Sequence, residues 1–146
     1  MDIQKEINEA RKARDAGKLG VLQGLKSALT NTALRKGSVN AELTNLEILG
    51  VIRSQIKQRE DSATAYEAAG RSELAQKEIS EKTILEGYLP QPLDQIQLDF
   101  ITEQAIVNVG AVTKKDAGRA IQAAVAMVAG RASNQEVSKL IMFKLS

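Results

Sequence analysis

The sequence predicts an all-α protein, with a helical N-terminal domain over residues 1–89 and a three-helix C-terminal domain over residues 90–146. Three observations carry that prediction. Apolar residues recur at three- and four-residue spacing in segment after segment, and no segment sustains the period-two alternation of a half-buried strand. Helix-start residues precede these segments at Asp2, Thr44, Asp94, Thr113 and Ser133. The only two prolines, Pro90 and Pro92, stand together and separate two sets of such segments.

In chain order, Asp2 caps a helix over residues 2–16 that places Ile3, Ile7 and Ala10 on one face and stops at Gly17. A second helix carries Leu22, Leu25, Ala28, Leu29 and Ala33 and ends near Lys36-Gly37. Thr44-Asn45-Leu46-Glu47 is a capping box, in which the Thr hydroxyl accepts the Glu backbone N–H and the Glu carboxylate reaches back. From there Ile48, Ile52 and Ile56, flanked by Leu49 and Val51, predict a helix running to about Ala69. Gly70 is placed for a left-handed cap and Ser72 for capping the next helix, whose apolar face reads Leu74, Ile84, Leu85 and Tyr88. Pro90 biases Leu89 away from helix, and Pro92 keeps the segment extended.

Beyond the prolines each helix has a readable start. Asp94 with Gln97 forms a capping-box variant, and Gly110 ends that helix. Thr113 and Asp116 open the next, which carries Ala117, Ile121, Ala124, Val125 and Val128 and stops at Gly130. Its small residues, Ala120, Ala123, Ala124 and Ala126, predict close helix approach. Ser133 with Glu136 caps the last helix, with Val137, Leu140, Ile141 and Leu145 at helical spacing.

Composition narrows the chemistry. The 146 residues are 43% hydrophobic, which at this length supports a real core. Histidine and cysteine are both absent, so His-based triads, thiolate nucleophiles, disulfides and the common zinc sites cannot be built. Neither a phosphate-binding G-x-x-x-x-G-K-[ST] loop nor a G-x-G-x-x-G turn occurs. Ser, Lys, Asp and Glu leave a Ser-Lys nucleophile or a carboxylate pair open in principle, but no spacing singles one out, and no cofactor or metal is expected. The four aromatics, Tyr66, Tyr88, Phe100 and Phe143, are expected to pack in cores. With no long apolar run and no signal-like N-terminus, no membrane association is expected, and the absence of cysteine fits a cytoplasmic protein.

Four phrases give the chain a family likeness: KLGVLQGLKSAL (18–29), IKQREDSATAYEAAGRSELAQKE (56–78), LEGYLPQPL (85–93), and GAVTKKDAGRAI with GRAS (110–121 and 130–133). They resemble the YqeY-like family, which is related to the C-terminal tail of the GatB subunit of glutamyl/aspartyl-tRNA amidotransferase. The resemblance implies an all-helical fold, kinship with tRNA-dependent amidation, and a tail domain that contacts tRNA. It also carries a label of carbon–nitrogen ligase with glutamine as amide donor. In that resemblance glutamine hydrolysis and activation belong to other domains and subunits, so it implies an accessory module rather than a catalyst acting alone. The chain departs from its relatives in places. Ala126-Met127-Val128-Ala129 stands where many have Met-Pro-Lys-Leu-Lys, Gln23 where many have Arg, and Ser133-Asn134 where Asp-Gly is common.

Net charge is only +2, but it is unevenly spread. Residues 11–36 hold seven basic groups against one acidic, residues 110–146 six against two, and residues 60–86 three against seven. Solvated helix faces account for such blocks in general; a phosphate-contacting surface is the sharper reading. Lys114 and Lys115 fall in what the pattern makes the first turn of a helix, where cations oppose the dipole, and Arg119 repels Lys115 four residues on. Lys114, Lys115 and Arg119, with Arg131 beside them, are therefore the candidate RNA-binding residues. The expected partner is tRNA or a protein of the translation or aminoacylation machinery. The alternative is a helical protein-interaction or scaffolding domain.

Overall fold

The computed structural model describes residues 1–145, and the regular structure among them is entirely helical. The helices are α1 (Ile3–Lys12), α2 (Ala16–Lys36), α3 (Asn45–Ala68), α4 (Ser72–Glu86), α5 (Gln95–Val109), α6 (Ala117–Val128) and α7 (Asn134–Lys144), with one 3-10 turn, Lys114–Asp116, before α6. Backbone contacts divide the chain into two compact units, one spanning Met1–Tyr88 and one beginning at Leu89.

In the first unit α1 is capped by Asp2, whose carboxylate accepts the Lys5 N–H, and it buries Ile7 and Ala10 with Leu22 of α2. The expected single helix over 2–16 is corrected. Helix α1 closes at Lys12, Arg14 turns left-handed at φ 56°, and Asp15 caps α2 by accepting the Lys18 N–H at 3.0 Å. Gly17 lies inside the first turn of α2 and stops nothing. An aspartate that can satisfy an orphan N–H is a stronger start signal than a nearby glycine is a stop.

Helix α3 opens with the Thr44–Glu47 capping box as the sequence predicts, and it ends with Gly70 in the left-handed conformation at φ 73°. A short turn returns the chain as α4, and the two helices pack as a hairpin. Ser72 is not the cap of α4. It is the first helical residue, and Arg71 before it makes no side-chain capping bond. The buried positions of α4 are Ala75 and Leu85, while Leu74 is exposed. The apolar pattern of α4 was irregular because two inner positions carry carboxylates: Glu78 and Glu81 are mostly buried and approach Arg59 of α3 at 3.6 and 3.1 Å.

The second unit has one core, built from Leu98 and Ala105 of α5, Ala117, Ala120, Ala124 and Val128 of α6, and Val137, Ile141 and Leu145 in and after α7. Ala120 and Ala124 are wholly buried, which is the close helix approach their size permits, whereas Ala126 faces solvent. Thr102, also wholly buried, satisfies its hydroxyl on the Leu98 carbonyl at 2.9 Å. Gly110 closes α5 with φ 67°. At the end of α6 the left-handed cap falls on Ala129 at φ 50°, one residue before the glycine expected to stop the helix. The expectation that the aromatics pack in cores fails for both phenylalanines. Phe100 is 63% exposed and Phe143 86% exposed, each on the side of its helix away from the buried Leu98 and Ile141.

Candidate nucleic-acid interface

The turn from α5 to α6 gathers three of the four candidate cations. Gly110 supplies the left-handed residue, and Ala111 N–H then donates to the Ile106 carbonyl at 3.0 Å, so the end of α5 is closed by backbone. Val112 and Thr113 follow with their N–H groups pointing at one carboxylate. Asp116 Oδ2 accepts from both, at 2.9 and 3.2 Å. Its other oxygen accepts from Arg119 Nη2 at 3.1 Å. These two backbone donors first, and Arg119 after them, hold the Asp116 carboxyl below the usual carboxylate range.

Each candidate residue has a distinct place in this arrangement. Arg119 is spoken for: besides Asp116, its Nη1 donates to the Val109 carbonyl at 3.0 Å, tying the last turn of α5 to the first turn of α6. Arg131 is also a brace. Its Nε donates to the Gln91 carbonyl at 2.9 Å, and its own carbonyl accepts the Leu93 N–H at 3.0 Å, fastening the Pro-x-Pro segment to the loop before α7. Lys114 and Lys115 are exposed, and their side chains make no ion pair or hydrogen bond among the described residues. They occupy the 3-10 turn rather than the first turn of α6. The local charge conflict read from the sequence is therefore relieved by the chain itself, because Asp116 stands at the α6 N-terminus and Arg119 swings onto it.

One neighbour of these lysines carries no side chain. Gly118 sits on the exposed face of α6, and a Cβ there would meet nothing within 4 Å. A helix-interior glycine costs roughly 0.5–1 kcal/mol relative to alanine. Here the packing does not call for it, and its effect is to leave the backbone open to close approach beside Lys114 and Lys115.

Two features had weak sequence signals or none. The cap role of Asp15 was legible in its side-chain type but masked by the glycine after it. The exposure of Ile96, Phe100 and Phe143 had no signal in the apolar spacing, which identifies apolar residues but not which of them remain outside. Among the described residues no group of three or more Asp or Glu is arranged to hold a metal ion, and no helix is long and apolar enough to cross a membrane.

Residues 1–145 match the family described as Yqey-like protein. Comparison with curated proteins found no match.

Proposed function

Since the chain belongs to the YqeY-like family over nearly its whole length, we propose that it is a tRNA-associated accessory module whose second unit contacts the RNA backbone. The observation that supports this most directly is the pair Lys114 and Lys115, two exposed cations without protein partners beside the open backbone at Gly118. Asp116 and Arg119 hold the turn that presents them, so the pair sits on a pre-formed platform. The expected contribution is electrostatic and independent of base sequence.

The test is tRNA affinity measured against salt concentration for wild type and a Lys114→Ala/Lys115→Ala variant. Arg119 is left intact because its loss would release the α5–α6 junction as well as a charge. Losing two phosphate contacts flattens the log–log salt slope by about 1.5 to 2 units. An unchanged slope, or no tRNA binding by wild type at low salt, refutes the proposal.

A second reading, a protein-interaction domain, is favoured by a different observation. Ile96 and Phe100 lie one turn apart on α5 and are 82% and 63% exposed, more apolar exposure than a solvated helix face needs. Replacement of both by Ser leaves tRNA binding unchanged under the first reading and removes a protein partner under the second.

A further inference from the structure

The first unit contains a groove that neither its fold nor the lysine pair accounts for. It is an open depression of about 460 Å³ between α2 and α3, along which Asn31, Arg35, Gly50, Ser54 and Gln58 are exposed. Its α2 wall is Ala28, Asn31, Thr32 and Arg35, and its α3 wall includes Gly50, Val51, Ser54, Gln55 and Gln58, each set spaced at three and four residues so that it lies on one helix face. The volume falls in the ordinary range for small-molecule sites.

The groove's chemistry is specific. Glu47 lines one end, but it is already neutralised: it accepts from Lys36 Nζ at 2.7 Å and from the Thr44 N–H at 2.9 Å. Arg35 is not neutralised. It makes no ion pair among the described residues, and its one hydrogen bond is a long 3.4 Å contact to Thr32 Oγ1. Thr32 in turn donates its own proton to the Ala28 carbonyl at 3.0 Å. Asn31, Gln55 and Gln58 have no side-chain partner among the described residues. The groove therefore offers one uncompensated guanidinium and several free carboxamides, each both donor and acceptor. Between them Ala28, Gly50 and Val51 supply small or apolar surface. Gly50 lies in the middle of α3, and a Cβ there would meet nothing within 4 Å, so no packing in the first unit requires a glycine.

A ligand that matches carries a single anionic group, a planar ring with donors and acceptors on its edge, and the size of the groove. We infer that the α2–α3 groove binds a nucleoside monophosphate unit, with the phosphate on Arg35 and the base edge facing the carboxamides over Gly50. Guanidinium–phosphate pairing is among the strong charge-assisted contacts, and Asn and Gln carboxamides read the adenine edge by paired hydrogen bonds. The unit can come as a free nucleotide or as one nucleotide of an RNA strand. The inference does not rest on Lys114 and Lys115, which lie in the other unit.

The experiment is a titration of the ¹⁵N-labelled full chain, followed by backbone amide shifts. The probes are adenosine and uridine 5′-monophosphate, a short single-stranded RNA, and inorganic phosphate as the control. The expected result is saturable shifts at Gly50, Ser54 and Gln55 with at least one nucleotide or with the RNA, and tighter binding than with phosphate alone. Response to the free nucleotides identifies a nucleotide site, and response to the strand alone identifies an RNA site. Arg35→Ala weakens binding about tenfold, the loss of one charge-assisted contact. Gly50→Leu fills the groove floor and abolishes binding while raising the melting temperature, because a residue of better helix propensity enters open space. Binding that survives Gly50→Leu, shifts confined to other residues, or neither the nucleotides nor the RNA strand binding more tightly than phosphate each overturn the inference. A folded, more stable Gly50→Leu chain excludes unfolding as the cause of any loss.

Discussion

Ala129 takes the left-handed backbone conformation that ends α6, although it is an alanine. The steric penalty for an L-residue there is roughly 1–2 kcal/mol, offset in part because glycine is more flexible in the unfolded chain. Ala129→Gly is therefore expected to raise unfolding free energy by about 0.5–1 kcal/mol, read as a higher denaturant midpoint with unchanged slope. A lower midpoint would show that the Cβ makes a contact worth more than the strain. Glu47 gives a second residue-scale expectation. The Lys36 ammonium, and then the Thr44 backbone N–H, push its carboxyl down to about 2 from a usual value of 4.5. A carboxyl whose folded pKa is depressed supports folding above its unfolded value, and that support fades as pH falls toward the folded one. Its carboxyl carbon should thus titrate with a midpoint near 2 by NMR, and Lys36→Met should move the midpoint upward, since the first-named cause is then gone.

At the scale of helices, what the sequence made legible was governed by how local each signal is. Capping boxes at Thr44, Asp94 and Ser133 span four residues each, and all three form with both reciprocal bonds present. The phase of α4 was not legible, because its inner face is set by a distant residue. Arg59 on α3 draws Glu78 and Glu81 inward, so the helix buries Ala75 and exposes Leu74. The same physics limited the reading of the candidate site. Lys114 and Lys115 were identifiable as cations near a helix start, but the binding of Arg119 to Val109 and of Arg131 to Gln91 depends on chain segments 10 and 40 residues away. The Arg59 cluster also yields a prediction. It is imperfectly satisfied, since Arg59 Nε and Glu78 Oε2 are buried without hydrogen bonds. Arg59→Met leaves the α4 carboxylates Glu78 and Glu81 without their cation in a partly dry site and should cost about 2–3 kcal/mol at neutral pH. Arg59→Met with Glu78→Leu and Glu81→Gln should recover most of that loss in chemical denaturation. If the triple variant is no more stable than the single one, the cluster's role is not electrostatic.

For the whole molecule the question is where the chain opens first. The sequence placed a boundary at the two prolines, and the contacts divide the chain between Tyr88 and Leu89. The Pro-x-Pro segment has no helix, yet its far side is not free. Gln91 offers its carbonyl to Arg131 Nε, and Leu93 donates its N–H to the Arg131 carbonyl, both within the second unit. Opening this segment for a protease requires breaking these bonds but no helix, so limited proteolysis should cut near residues 89–93 before it cuts within α3. The side-chain bond gives this expectation a quantitative form. An exposed, charge-assisted hydrogen bond contributes about 1 kcal/mol after solvent competition. When opening is fast relative to cleavage, the cutting rate follows the population of the open form, so 1 kcal/mol corresponds to about fivefold. Arg131→Ala should therefore speed the first cut at 89–93 by about fivefold, while leaving in place the tRNA affinity proposed for Lys114 and Lys115. Arg131→Lys, which keeps the charge but loses the directed Nε–H, should fall closer to alanine than to wild type. Earlier cleavage inside α3, or an Arg131→Ala chain cut no faster than wild type, would show that this segment is held by something other than the arginine.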